Sequence, residues 1–350
     1  MIGREPEALT PAQRIERVLG GQRPDRFAYF LNAGLHAAGL LGVPLEDLLS
    51  RVDLAVEGAL LVQERLGNDL VTSFLHAAGE AQAFGGEVLF FDDGPPNAGT
   101  PPLGLASLAS LRPPPIDHPA LALRVEVTRA LAARVAGRIP VAGALVAPFS
   151  LPVMQLGFSG WLDLLHEAPR EAEHLIAVNL DHCIAFARAQ LAAGASAILA
   201  FEPLASTQLV APRIFHDLGL PALRRFGAAI GAPFAVSTAS APIAAVANDL
   251  VDAGALMIGA SDQDDLVALE AATSGKAVIL GNLNGLRMRA WTPGDVDREV
   301  RALVARLPAS GRAVVTEHHG EVPLAVPFDT LVQVAQALRR HGRLPRRADG

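Results

Sequence analysis

Two of the ten histidines in this 350-residue chain stand side by side in TEHHGEVP, residues 316–323. Imidazole titrates near neutrality, so a histidine beside a carboxylate is equipped to accept or deliver a proton. His319 has such a partner in Glu317 and a glycine behind it, Gly320. His318 points the other way if the alternation of the preceding AVV continues, and is read as structural. Two further residues share this character: His76 closes the run LVTSFLH, and Glu202 closes SAILAFE. A carboxylate ending an apolar run is seldom there for packing, because burying it unpaired is costly. His76, Glu202 and His319 are therefore the candidate catalytic residues. Their types would also suit zinc or iron, a minority reading that no short spacing such as His-Glu-x-x-His supports; no metal ligand is assigned.

The residues expected to line a substrate are Leu31, Asn32, Leu35, His36, Phe74, Phe149, Met154, Ser237, Asn282 and Glu317. Turn chemistry alone would account for Asn32 and for Asn282 in GNLNG, and it is the role expected of Asp92 and Asp93 before GPP.

Composition narrows the class of protein. Hydrophobic residues make up 51% of the chain, enough for a large core and too many for disorder. The 29 basic and 36 acidic residues leave a formal charge of −7, and no Lys/Arg block argues for nucleic acid. The single cysteine, Cys183, excludes a disulfide framework, and its helical neighbour His182 cannot face it, so it is read as a buried thiol. MIGREPEALT lacks the apolar core of a signal peptide, and apolar runs break well before the ~20 residues a bilayer crossing needs. A cytoplasmic protein acting on a small molecule, away from membrane and nucleic acid, is expected. Oligomeric state leaves no signal in the sequence.

The elements that must position these side chains alternate. In LTPAQRIERVL, Thr10, Pro11 and Gln13 form the start of a capped helix, and Thr292, Pro293 and Asp295 repeat the device. Short apolar runs in DRFAYF, NDLVTSFL, PVAGALVAPFS, SAILAFEP, PFAVST, ALMIGAS, AVILGNLNG and AVVTEHHGE read as eight strands, mostly separated by helical segments such as PLEDLLSRVDLAVEGALLVQERLG. GGEVLFF is a further strand ending in a Gly-Pro turn. Apolar strands alternating with helices predict a covered parallel sheet, and eight of them predict a (β/α)8 TIM barrel; an open doubly wound sheet is the alternative. One domain is expected over 1–350, with an N-terminal helical segment to residue 25 and a flexible tail from 343. In a barrel the functional residues lie at the C-terminal strand ends, where both histidines of TEHHGEVP fall.

The chain resembles the uroporphyrinogen decarboxylase superfamily, which includes corrinoid-linked methyltransferases. The resemblance rests on TPAQRIERVLGGQRPDR, GGEVLFFDDGPP, APFSLPVMQLGFSGWLDLLHEAPREAEHLI, ARAQLAAGASAILAFEPLASTQLVAP, ILGNLNG with TPGDV, and GEVPLAVPFDTLVQVAQAL. It implies a (β/α)8 barrel, and EPLASTQLVAP is closer to the methyltransferase branch. That branch holds zinc through His-x-Cys after one late strand and a Cys after the last. Here those positions are Ser237, Ala239 and Gly320, none a normal zinc ligand. The decarboxylase branch grips a polycarboxylate with two arginines, which here are Leu31 and Leu35; its catalytic Asp falls on His76, and with a one-residue slip its His-Gly falls on His319-Gly320.

The expected function is methyl transfer between a small, rather apolar substrate and a corrinoid or folate carrier, with a corrinoid protein as a partner and no zinc site of the family's kind. A decarboxylase for a less acidic substrate and a non-catalytic binding protein are the alternatives. Convergence of His76, Glu202 and His319 separates enzyme from binding protein.

Overall fold

The computed structural model describes residues 8–91 and 94–345. Asp92 and Asp93 lie outside the described residues, as do 1–7 of the N-terminal segment and 346–350 of the tail.

Eight parallel strands form one sheet: β1 Ala28–Tyr29, β2 Val71–Thr72, β3 Val141–Val146, β4 Ala197–Phe201, β5 Phe234–Ser237, β6 Met257–Gly259, β7 Val278–Leu280 and β8 Ala313–Val315. Their order is β1-β8-β7-β6-β5-β4-β3-β2, so the first two strands are the edges that must meet. They meet at a seam with one backbone bond, Asp69 N–H to the Tyr29 carbonyl at 2.9 Å. The Asn68 amide substitutes for the next rung, accepting from Leu31 N–H and donating to its carbonyl, both at 3.0 Å. The result is a TIM-barrel-type α/β fold whose strands are apolar on both faces, since side chains fill the interior and helices cover the outside.

Below the seam, at the N-terminal strand ends, lies a buried ion cluster. Asp69 meets Arg14 Nη1 at 2.6 Å and Arg26 Nη1 at 2.7 Å, and accepts the Tyr29 N–H at 2.9 Å.

Both capping boxes form: Thr10 with Gln13 starts the helix Pro11–Leu19, and Thr292 with Asp295 starts Pro293–Val304. The long helical segment after Pro44 is two helices, Leu45–Ser50 and Val52–Leu66, because Arg51 between them is extended. GGEVLFF supplies one arm of a hairpin outside the barrel, Val88–Leu89 antiparallel to Asn97–Ala98. Arg343 bridges Arg26, and the Leu344 N–H bonds the Asp25 carbonyl, so the chain is held through residue 344 by the strand that leads into β1. No described helix is long and apolar enough to cross a membrane.

Candidate active site at the C-terminal rim

The loop after β8 carries the best-formed proton-transfer geometry. Glu317 is buried, and its Oε2 accepts the His319 N–H at 2.8 Å and lies 3.0 Å from His319 Nδ1. A ring nitrogen facing a carboxylate carries the proton, which leaves Nε2 as the exchangeable position on a half-buried ring. Gly285 makes room for this pair, since a Cβ there would stand 3.3 Å from Glu317 Oε2 and 2.8 Å from Pro323. His318 is anchored differently: its Nδ1 accepts the Asp262 N–H at 3.2 Å, so its proton sits on Nε2. Burial and then the neighbouring His319 push its pKa down to about 4, keeping it neutral. The two rings lie edge to face, with centroids 4.0 Å apart.

Glu202, at the end of β4, is fully buried. Its Oε2 accepts Phe149 N–H at 3.3 Å, its Oε1 pairs with the Ser150 hydroxyl, and Ser150 Oγ accepts Leu204 N–H at 3.1 Å. Burial outweighs these hydrogen bonds and raises the Glu202 pKa to about 8, so at neutral pH it is a carboxylic acid, a proton donor and not a base. A group that binds its proton more tightly when folded gives stability that is full below its unfolded pKa and is lost as pH rises toward the folded value. The wild type is therefore expected to lose stability relative to Glu202→Gln between about pH 4.5 and 8. Urea midpoints of both proteins across that range check this, and parallel curves contradict it.

His76 follows β2 but belongs to other surroundings. It borders a cleft between the helix Leu45–Ser50, the start of the helix Pro119–Val135 and the hairpin, with its ring edge toward Phe90. Burial and then Arg124 lower its pKa to about 4, so it is neutral, and its Nδ1 has no hydrogen-bond partner among the described residues. Among the described residues, no hydrogen bond, ion pair or ring contact joins any two of His76, Glu202 and His319, and no group of three His, Cys, Asp or Glu side chains is placed to hold a metal ion. The three-strand metal site considered from residue types is thus not assembled.

Several residues expected to contact substrate are committed elsewhere. Phe149 is fully buried against Trp161 and Phe215. His36 is buried and donates from Nε2 to the Val326 carbonyl at 2.9 Å, a helix-to-loop tether. Asn282 donates to the Ser261 and Asp264 carbonyls, and Ser237 Oγ accepts the Ala239 N–H. Met154 is half-buried in the short helix Pro152–Leu156. Leu31, Asn32, Leu35 and Phe74 do share a surface: they line a small cavity at the β1–β2 seam.

Sequence reasoning missed two features. One is a buried polar cluster in which Glu80 meets Arg124 at 3.1 Å and His182 at 3.5 Å and accepts the Val146 N–H. Burial opposes ionisation of Glu80, but Arg124 and His182 together overcome it and hold its pKa below the ordinary value. The available signal was an arginine amid apolar residues, ALALRVEV. The other is Glu321, discussed below. Cys183 is buried as expected, its Sγ donating to the Val146 carbonyl at 3.3 Å.

The zinc implied by the resemblance does not fit. Ser237 offers a hydroxyl already used by the backbone, and Ala239 a methyl. Gly320 has φ +98°, and a Cβ there would lie 2.6 Å from the Phe201 ring, leaving no room for a longer side chain without a shift of that ring.

Eight parallel strands in one curled sheet, with ionisable groups at their C-terminal ends, define a TIM-barrel-type α/β protein. The chain belongs to the uroporphyrinogen decarboxylase (URO-D) family, whose model matches residues 10–341. A curated relative, the methylcobamide:CoM methyltransferase MtbA of Methanosarcina mazei, is 26% identical over 181 residues, 49% of this chain and 51% of that protein. The chain thus spans about half the length of that relative. Among solved structures, a methyltransferase from Methanosarcina mazei has a TM-score of 0.82 at 17% identity, covering 95% of this chain and 99% of the other. A B12-independent methionine synthase from Shewanella sp. W3-18-1 has a TM-score of 0.57 at 14% identity, covering 84% and 89%. At these identities the structures speak for the fold.

Proposed function

We propose that this protein transfers a methyl group between a corrinoid or folate carrier and a small, rather apolar molecule in the cytoplasm, without zinc. In the forward direction the acceptor X–H attacks the carrier's methyl carbon. The X–CH3 bond forms, the carrier leaves with the electron pair, and the proton of X–H passes to His319 Nε2. Zinc lowers the pKa of an acceptor by coordination; a histidine held by a carboxylate does related work by taking the proton in the transition state. The His319–Glu317 pair is the observation that carries this reading, and the relative named for a methylcobamide reactant supports the carrier. Glu202, protonated at neutral pH, is suited to donate a hydrogen bond and not to take the acceptor's proton.

The test supplies methylcobalamin or methyltetrahydrofolate with a panel of small amines, alcohols and thiols, in the presence of EDTA. Methylated product, detected by mass spectrometry and dependent on the protein, is expected. Absence of product from both carriers, or carbon dioxide release from a polycarboxylate instead, overturns the proposal. The separate surroundings of His76 favour a second reading, a binding protein on the same scaffold, under which carriers bind and nothing turns over.

A further inference from the structure

The cavity at the β1–β2 seam has a wall of unusual charge. It is lined by apolar side chains, among them Leu31, Leu35 and Phe74, and its volume is about 40 Å³. Since one water takes up about 10–15 Å³ on this measure, the space suits about three or four heavy atoms. Among the described residues that line it, Glu321 is the only ionisable one, and none is Lys, Arg or His.

The other polar side chains there each make at least one hydrogen bond to the protein. Asn68 uses both ends of its amide on Leu31, and Gln63 donates to the Asn68 carbonyl. Thr72 donates to the Ala142 carbonyl and accepts the Phe74 N–H; Asn32 donates to the Gly320 carbonyl. The Glu321 carboxyl takes a hydrogen bond from the Leu35 backbone and keeps further acceptor positions, as a carboxylate has about four. Glu317 is near enough to add like-charge repulsion, and with burial, the larger cause, this raises the Glu321 pKa to about 8. Beyond the Leu35 hydrogen bond, a carboxyl so placed can accept from a donor that brings positive charge.

We propose that this cavity binds a small alkylammonium ion, its N–H groups on the Glu321 carboxyl and its methyl groups against Leu31, Leu35 and Phe74. As an identification of the small reactant, this rests on the methyl-transfer reading above; as a binding site it stands on the cavity itself. Once Glu321 is ionised, above about pH 8, carboxylates and sulfonates are excluded by the same wall, because each would meet its charge with no cation in the lining to offset the repulsion. Neutral alcohols of the same shape gain a hydrogen bond without the charge.

Calorimetric titration of the full chain with methylammonium, dimethylammonium, 2-propanol and acetate, above about pH 8 where Glu321 is ionised and at constant ionic strength, decides the matter. Dimethylammonium is expected to bind about tenfold or more tightly than 2-propanol, and acetate not to bind. Glu321→Gln is expected to remove that preference. Gly34→Ala would place a methyl 3.5 Å from Glu321 Oε1, an ordinary contact that shields the carboxyl, so it should weaken the ammonium without unfolding the protein. Glu299→Gln, on an outer helix, should change nothing. No ammonium binding, a preference that survives Glu321→Gln in a folded variant, or binding of acetate as tight as that of dimethylammonium sinks the inference. Methyl transfer to a thiol or alcohol alongside absent ammonium binding would remove this inference and keep the proposed function; ammonium binding with no methyl transfer would do the reverse.

Discussion

Asp69→Ala lowers the free energy of unfolding by ~3–5 kcal/mol, the expected result of removing one partner from a buried ion cluster. Asp69 is fully buried, and both of its oxygens are engaged, by Arg14 Nη1, by Arg26 Nη1 and Nη2, and by the Tyr29 N–H. Without the carboxylate, two guanidinium groups remain in the interior with less negative charge around them, and a strand N–H loses its acceptor. Arg14 keeps its contact to Asp25 at 2.8 Å, so the loss stays short of complete unfolding. Asp25→Ala should cost less, since Asp25 is partly solvated, with 20% of its side chain exposed. The measurement is the urea midpoint at unchanged slope. A change below about 1 kcal/mol for Asp69→Ala would mean that the cluster does not hold the base of the seam. The functional consequence lies above it: Asp69 and Asn68 are consecutive, so slackening one loosens the rung that closes the barrel and the cavity beside it.

The second large effect is kinetic. His319→Gln should reduce kcat for methyl transfer by ~10²–10⁴-fold, the usual contribution of a well-placed proton acceptor. Glutamine retains an amide that can face Glu317 but cannot take a proton. Thermal stability should stay near wild type, because the ring is half-buried at a loop and, among the described residues, its side chain hydrogen-bonds to Glu317 alone. Glu317→Gln should lower kcat less and leave KM close to wild type, because Glu317 acts by fixing the tautomer of His319 and not by touching the reactants. Turnover within about threefold of wild type in His319→Gln would remove histidine from the mechanism.

The His-Gly of the last strand, the apolar Leu31 and Leu35 and the missing zinc ligands were all legible as residue identities at a strand end. Their company was not. His76 ends an apolar run as Glu202 does, yet the loop after β2 turns it toward a cleft of helices and hairpin, while Glu202 is enclosed by the Phe149–Ser150 turn. The groups that neutralise or hydrogen-bond a charge come from far along the chain: Arg14 and Asp69 are 55 residues apart, and Glu80 and the Val146 N–H are 66 apart. No window of sequence contains both members of such a pair.

Local chemistry was sufficient for the alternation of strands and helices, for the capping boxes at Thr10 and Thr292 and for the expectation of a barrel, because periodicity, caps and turns depend on neighbours within a few residues. Folding placed Glu321 beside an apolar seam and set His76 in surroundings apart from it and from His319. Protonation and reach depend on burial and on distances of a few ångströms between distant segments, and those exist only once the chain has folded.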